Sequence, residues 1–482
     1  MRARTALLHH QAPLFPVFLV GALAACEDAG PADDELIGEA EDAAVCPDVS
    51  GTVVERSLAV TDPAVLARFS FSRVMNRIRN TANAGASPTT ANLFKAWMGT
   101  FGDTAATGNC ADPKIDPNGY GLVCPRVPEA KLAGINPFAA NATVTFQPVA
   151  VMNRFDLTPT SGANCGEHRI VYAMQSTSPD IGGRAFIIFE AALPNPSPQL
   201  GVDACLPVAQ FWQGLSDDPS ATSRAAKLEK FYFTGGAVPG FPAVVNAAHY
   251  GLLDAGGGPR KAGQIRTNFF VDNFEWHLRE FKTRRTCADA TNPATCALSF
   301  DHVTVKVNPA EELFAGTHPK SGAFVTNFVN QVPTLARANL NRIAMKPQDQ
   351  FNEFESSAQA GDVIYKNFDN AGIRSAIQAK LTEIGSTLSV NNILDRATTQ
   401  TCGGCHQLSN GAPLGGGLSW PSSGFFVHVD ESGFLSPALT GTFLPHRRSV
   451  LEKFINDRCD GSAATEPAPG QTIGGSAEGA AN

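Results

Sequence analysis

Apolar positions change rhythm three times along the chain. Between residues 49 and 135 they recur at helical spacing: Leu66, Phe69, Phe71, Val74, Met75 and Ile78 follow Asp62-Pro63, a capping residue and a residue suited to a first helical turn. A second helix is predicted over 90–101, with Leu93, Phe94, Trp97 and Met98 inward. Gly, Pro, Asn and Asp then crowd residues 102–140, which read as loop. From 141 to 310 the pattern shifts to short runs rich in Val, Ile and Phe between turn residues. Residues 143–152, 169–174, 185–191, 264–271, 276–282 and 303–307 read as strands, and 223–233 as a helix. Regular helices are missing between these runs, which favours an antiparallel or mixed sheet. Helical spacing returns after residue 322: Phe324, Phe328, Val332 and Leu335 share one face, Ile373, Ile377, Leu381 and Ile384 another, with further helices at 390–396 and 445–457. The expected class is α+β, with a mixed or antiparallel β-rich middle segment, a helical N-terminal part and a helical C-terminal module.

Composition adds a compartment to this pattern. Of the 482 residues 43% are apolar and 17% charged, as in a folded globular protein. The net charge of −8 sits at the ends. Arg2 and Arg4 are the only charges in 1–25, while 27–45 hold eight acids and 460–482 three, leaving 35 bases and 34 acids for 46–459. A neutral body carries no basic face for a nucleic acid. The expected organisation is a leader over 1–25, an acidic disordered tether over 26–48, a disulfide-braced α+β body over 49–321, a helical segment over 322–459 and a disordered tail over 460–482.

The leader has a recognisable form. Arg2 and Arg4 precede an apolar stretch from Leu14 to Ala25 that ends Leu23-Ala24-Ala25-Cys26. The stretch is shorter than the ~20 residues a spanning helix needs and has signal-peptide length. Its end resembles the lipobox of bacterial lipoproteins. The resemblance implies lipidation of Cys26, a membrane partner held through that lipid, and an exported protein on the periplasmic side or cell surface of an outer membrane. An ordinary secretory signal with a chance cysteine is the alternative.

Eleven cysteines fit that setting. Setting aside Cys26, Cys402 and Cys405 leaves an even eight, read as disulfides. Short loops make Cys110 with Cys124 and Cys287 with Cys296 the simplest local pairs. Cys165 with Cys205 follows, and Cys46 with Cys459 remains.

Chemistry concentrates in Thr401-Cys402-Gly403-Gly404-Cys405-His406. This matches C-x-x-C-H, the c-type haem attachment pattern. Cysteines three apart lie on one turn and reach the two vinyl groups on one porphyrin edge; the following histidine can ligate the iron. Predicted helices at 372–385 and 390–397, a Gly/Pro-rich loop after the motif and a closing helix from Pro445 resemble a small c-type cytochrome over about residues 371–458. The resemblance implies one haem c, with Cys402 and Cys405 as anchors, His406 as proximal ligand, and a redox partner protein. All six methionines precede the motif. Downstream, His428 and His446 are the sixth-ligand candidates, and Arg447 and Arg448 could pair with propionates. Three other readings of the motif stand beside haem: a redox disulfide, half of a zinc site with His406 and His428, or a structural turn.

The middle segment carries Arg154, Asp156, Glu167, Arg169, Glu190, Arg266 and Glu280 among apolar neighbours. Either Arg154, Asp156, Glu167, Arg169 and Arg266 line a ligand cleft, or they are paired charges closing a sheet, the reading that common pairing favours. The segment resembles strings in uncharacterised exported bacterial proteins that end in a C-x-x-C-H module, which implies no activity. The functions expected are electron transfer or redox chemistry by a haem lipoprotein. The rivals are a haem oxidase or peroxidase with an open iron site, and a haem-free binding lipoprotein with a Cys402–Cys405 disulfide.

Overall fold

The computed structural model describes residues 49–102, 115–254, 262–271, 275–358, 361–459 and 472–474, all within one compact unit spanning Cys46–Asn482. The leader, Cys26, the tether, Cys46 and Cys110 lie outside the described residues.

The Val/Ile/Phe runs form one nine-stranded sheet, confirming the α+β class. Its strands are β1 (Ala59–Val60), β2 (Val144–Arg154), β3 (Asn164–Ser176), β4 (Ala185–Pro194), β5 (Leu253–Asp254), β6 (Gln264–Val271), β7 (Glu275–Cys287), β8 (Cys296–Val303) and β9 (Ser356–Ser357). The order is β1-β2-β3-β4-β6-β7-β5, with β8 and β9 also paired to β7. Every pairing is antiparallel except β5 with β7. β3 runs buried from Asn164 to Met174, past both ends of its apolar run, because its charged residues are covered too.

Several expectations shift. The first helical run splits into Pro63–Leu66, capped by Asp62, and Phe71–Thr81, capped by Ser70. The strand expected at 303–307 lies earlier, at Cys296–Val303. Val305 and Val307 leave the sheet to pack with Val363 and Cys402, while Val305 N–H donates to the Glu353 carbonyl at 2.8 Å and Val307 accepts from Glu353 N–H at 2.9 Å. The helices Ser321–Leu335, Ala371–Glu383, Val390–Thr398 and Leu444–Cys459 match the pattern. The boundary read at 321/322 marks a change of secondary structure and no gap in the core: Phe324, Leu394, Leu439 and Phe454 join the same apolar cluster as Ile170 and Phe189. Three residues of the segment read as disordered tail are pinned instead. Thr472 bridges Pro159, and Ile473 and Gly474 N–H groups donate to the Thr158 and Asp156 carbonyls at 2.9 and 3.0 Å.

Disulfides join Cys165 to Cys205 and Cys287 to Cys296, as expected from loop length. Cys124 is also disulfide-bonded. Among the described residues no helix is long and apolar enough to cross a membrane.

The sheet separates two environments. Residues two apart on a strand share a face. One face presents Ile170, Tyr172, Phe189, Ile265, Phe269 and Phe281 to the N-terminal helices. There Phe71 meets Tyr172 at 5.2 Å between ring centres and Trp97 meets Phe281 at 5.5 Å. The other presents Met152, Arg169, Glu190, Gln264, Arg266 and Glu280, aligned across β2, β3, β4, β6 and β7 by the register.

Candidate functional site

Cys402 to Leu408 form a short helical segment whose later part, Gly404–Leu408, is π-helical. Thr401 caps it: its hydroxyl accepts from Gly404 N–H at 3.0 Å and donates to the Thr398 carbonyl at 2.9 Å. The two glycines between the cysteines have a steric reason. A Cβ on Gly404 would sit 1.7 Å from the Thr398 carbonyl oxygen, and one on Gly403 2.9 Å from that of Ala358. Only hydrogen fits where the turn presses so closely on backbone.

The turn faces the charged side of the sheet across a cleft. Met152, Arg169, Ile188, Glu190, Arg266 and Asn268 form its floor; Cys402, His406, Phe426, His428, Leu439 and Arg447 its roof. About 820 Å3 between these walls is free of protein atoms, part of it open to solvent.

His406 has a defined tautomer. Its Nδ1 lies 2.9 Å from the Phe426 carbonyl, which can only accept, so Nδ1 carries the proton and Nε2 the lone pair. Burial, opposed by that hydrogen bond and helped by Arg266, lowers its pKa to about 4, so the ring is neutral. The Phe426 carbonyl is aimed by an unusual backbone: Phe425 and Phe426 are consecutive non-glycine residues at φ 52° and 69°, between bridged Gly424 and Val427. Two side chains in the left-handed region are a local cost that clusters at functional sites. A carbonyl fixing the outer nitrogen of an imidazole is how proteins orient metal-ligating histidines.

His428 stands beside the motif. Its Nδ1 is 2.9 Å from Ser436 Oγ, its Nε2 is 3.6 Å from Cys405 Sγ, and its ring centre is 4.5 Å from that of His406. Burial, with His406 and Arg447 nearby, holds it well below the ordinary histidine range. Cys405, His406 and His428 bring ligand atoms within 4.8 Å of one another.

Cys402 and Cys405 are both buried thiols, not joined as the disulfide that the haem-free rival requires. Burial pushes Cys405 up to about 12, Cys402 adding to the rise while Arg447 and Arg154 oppose it. Burial also raises Cys402. A redox C-x-x-C pair needs the opposite, a depressed thiol pKa.

Arg154, Glu167, Arg169 and Arg266 come together on one sheet face, with Asp156 in the turn just after β2, and all are paired. Arg169 meets Glu167 at 2.7 Å and Glu190 at 3.1 Å; Arg266 meets Glu280 at 3.1 Å and Glu190 at 3.4 Å; Arg154 holds Asp156 at 2.9 Å. Of the five only Arg169 and Arg266 reach the cleft wall, while Arg154, Asp156 and Glu167 stand beside it. His446 lies off the cleft, with Nε2 3.1 Å from the Gly474 carbonyl. Arg447 lines the cleft, whereas Arg448 is exposed.

Sequence reasoning named Phe426 only as an apolar neighbour, missing its carbonyl, and overlooked Met152. Met152 is the one methionine on the cleft wall, brought there by β2 from 250 positions upstream of Cys402. Chain order hid it; the strand pattern alone carried its signal. Comparison of this chain with protein-family models, with curated proteins and with solved structures found no match in any of the three.

Proposed function

We propose that this chain is an exported lipoprotein that carries one c-type haem on Cys402, Cys405 and His406 and acts in electron transfer or redox chemistry. The observation that carries the reading is the C-x-x-C-H turn itself: both sulfurs present as thiols, Cys402 and His406 on the wall of a cleft open to solvent, and the histidine's outer nitrogen held by the Phe426 carbonyl. The residues present fit the group. His406 Nε2 is the nitrogen left to ligate iron. His428 and Met152 are the other cleft side chains that would offer iron a ligand, His428 favouring a lower potential than Met152. Phe426, Ile188 and Leu439 keep the site dry. When bound, haem supplies a one-electron couple at its iron. In the same proposal Cys26 bears the lipid that tethers the protein to a bacterial membrane, and a redox partner exchanges its electrons.

A second reading has its own observation. Cys405 Sγ and His428 Nε2 are 3.6 Å apart and the ligand atoms of Cys405, His406 and His428 all lie within 4.8 Å of one another, a spacing that suits one tetrahedral transition-metal ion held by the three.

Expression with haem-attachment machinery, followed by a pyridine haemochrome spectrum, intact mass and metal analysis, separates the two. Covalent haem at one per chain, lost in the Cys402→Ala/Cys405→Ala variant, is expected. Colourless mature protein with unmodified cysteines overturns the haem reading, and one equivalent of zinc or copper in that protein establishes the second.

A further inference from the structure

The cleft wall carries three arginines, Arg169, Arg266 and Arg447, against one acid, Glu190. The excess has an address. Arg169 and Arg266 share Glu190 and each has a second carboxylate, Glu167 or Glu280. Asp156, the acid nearest Arg447, is already engaged by Arg154 through Nε and Nη2, each at 2.9 Å. Arg447 reaches it only at 4.0 Å, through Nε. Its Nη2 is buried and has no hydrogen-bond partner among the described residues, although the residue is only 4% exposed. Leaving a buried guanidinium so poorly compensated is costly. Burial, with Arg154 and Arg169 as like charges and Asp156 opposing, pulls Arg447 well below the ordinary arginine range.

We propose that Arg447 is the seat of a carboxylate, and that the cleft takes ligands built as an apolar body bearing that group. A guanidinium edge matches a planar carboxylate, and a charge-assisted pair would satisfy Nη2. The neighbouring walls are apolar: Val171, Ile188, Leu439 and Val427 offer nothing to a strongly hydrated ion but suit a hydrocarbon or aromatic body. Glu190 on the cleft floor disfavours a second negative charge close by. The carboxylate has two sources of the same chemistry, a propionate of the porphyrin proposed above or a free aryl or alkyl carboxylic acid. Only the first source rests on the haem reading.

The full chain carrying Cys402→Ala/Cys405→Ala, which removes covalent attachment, allows both to be tested. It is titrated with haemin and with haemin dimethyl ester by absorbance, and with benzoate, benzamide and chloride at equal ionic strength by thermal shift. The expected result is a preference of about tenfold or more for an acid over its neutral analogue, lost on adding Arg447→Met and largely kept with Arg447→Lys. A preference for haemin over its diester assigns the propionate; stabilisation by benzoate over benzamide, with no such porphyrin preference, assigns a free acid. Equal binding of acid and neutral forms, an effect of chloride equal to that of benzoate, or an acid preference unchanged in a folded Arg447→Met variant overturns the proposal. If mature wild-type protein is colourless, the haem reading falls while the benzoate arm still reports on the seat.

Discussion

The two faces of the central sheet are made by the same strands and solve burial in opposite ways. Toward the N-terminal helices, Tyr172, Phe189, Phe269 and Phe281 meet Phe71, Trp97 and Phe101, with ring centres 5.2 to 6.3 Å apart. This is stabilisation by apolar area and aromatic contact, which needs no exact partner. Toward the C-terminal segment the same strands bury Glu167, Arg169, Glu190, Arg266 and Glu280, which are tolerable only as a connected set. The first face behaves as a core. The second is a polar floor that leaves space above it, and the chemistry-bearing turn closes over that space. A sheet that can afford charge on one face does so because the other supplies the packing.

The sharpest test of this contrast is rescue. Trp97→Ala on the aromatic face and Glu190→Ala on the cleft face should each cost about 3–5 kcal/mol in urea unfolding. Replacing Glu167, Arg169, Glu190, Arg266 and Glu280 together by Leu or Met should recover most of the second loss, since no charge is then stranded. Truncating further rings around Trp97 should deepen the first. If the five-fold variant is less stable than Glu190→Ala, the floor is not the compensated network described.

A smaller effect is expected at the turn. Gly404→Ala places a methyl on the Thr398 carbonyl, and should cost about 1–3 kcal/mol and abolish covalent haem attachment, read by unfolding and by mass. Gly403→Ala, whose methyl would meet the Ala358 carbonyl oxygen at 2.9 Å, should impair attachment less. The reverse order would mean that the turn is held by something other than these contacts.

The mildest test is pH. Burial lowers His168, on the aromatic face, from 6.5 to about 3, so its folded pKa lies below the unfolded one. Its contribution is complete above pH 6.5 and is lost as pH falls toward 3. Asp156 is raised by burial but lowered more by Arg154, from 3.8 to about 2. Its contribution is lost only between those values. His168→Gln should flatten the higher window of a stability–pH profile, and Asp156→Asn the lower. Interchanged windows would contradict the burial and pairing given for the two residues.

Much of this was legible beforehand. β2, β3, β4 and β6 announce themselves as Val/Ile/Phe runs, because a strand buried on both faces has few positions to spare for exposed polar groups. Cys165–Cys205 and Cys287–Cys296 followed from proximity in sequence. The motif was legible because its spacing is local and its meaning lies within one turn. Val303–Val307 misled, since a run of β-branched residues looks alike inside a sheet and in an extended segment packed against Cys402.

Chain order alone thus determined which segments alternate, which coil, where the acidic ends lie and which five residues form the attachment pattern, because these depend on neighbours within a few positions. Tertiary structure decided that Arg169 stands against Glu190, that Met152 and Arg447 share a cleft with His406, that His446 does not, and that a strained Phe426 carbonyl holds the His406 proton. Those relations depend on strand register and on the packing of segments hundreds of residues apart. A one-residue slip would turn the whole charged set to the opposite face, and no local pattern encodes which acid meets which base.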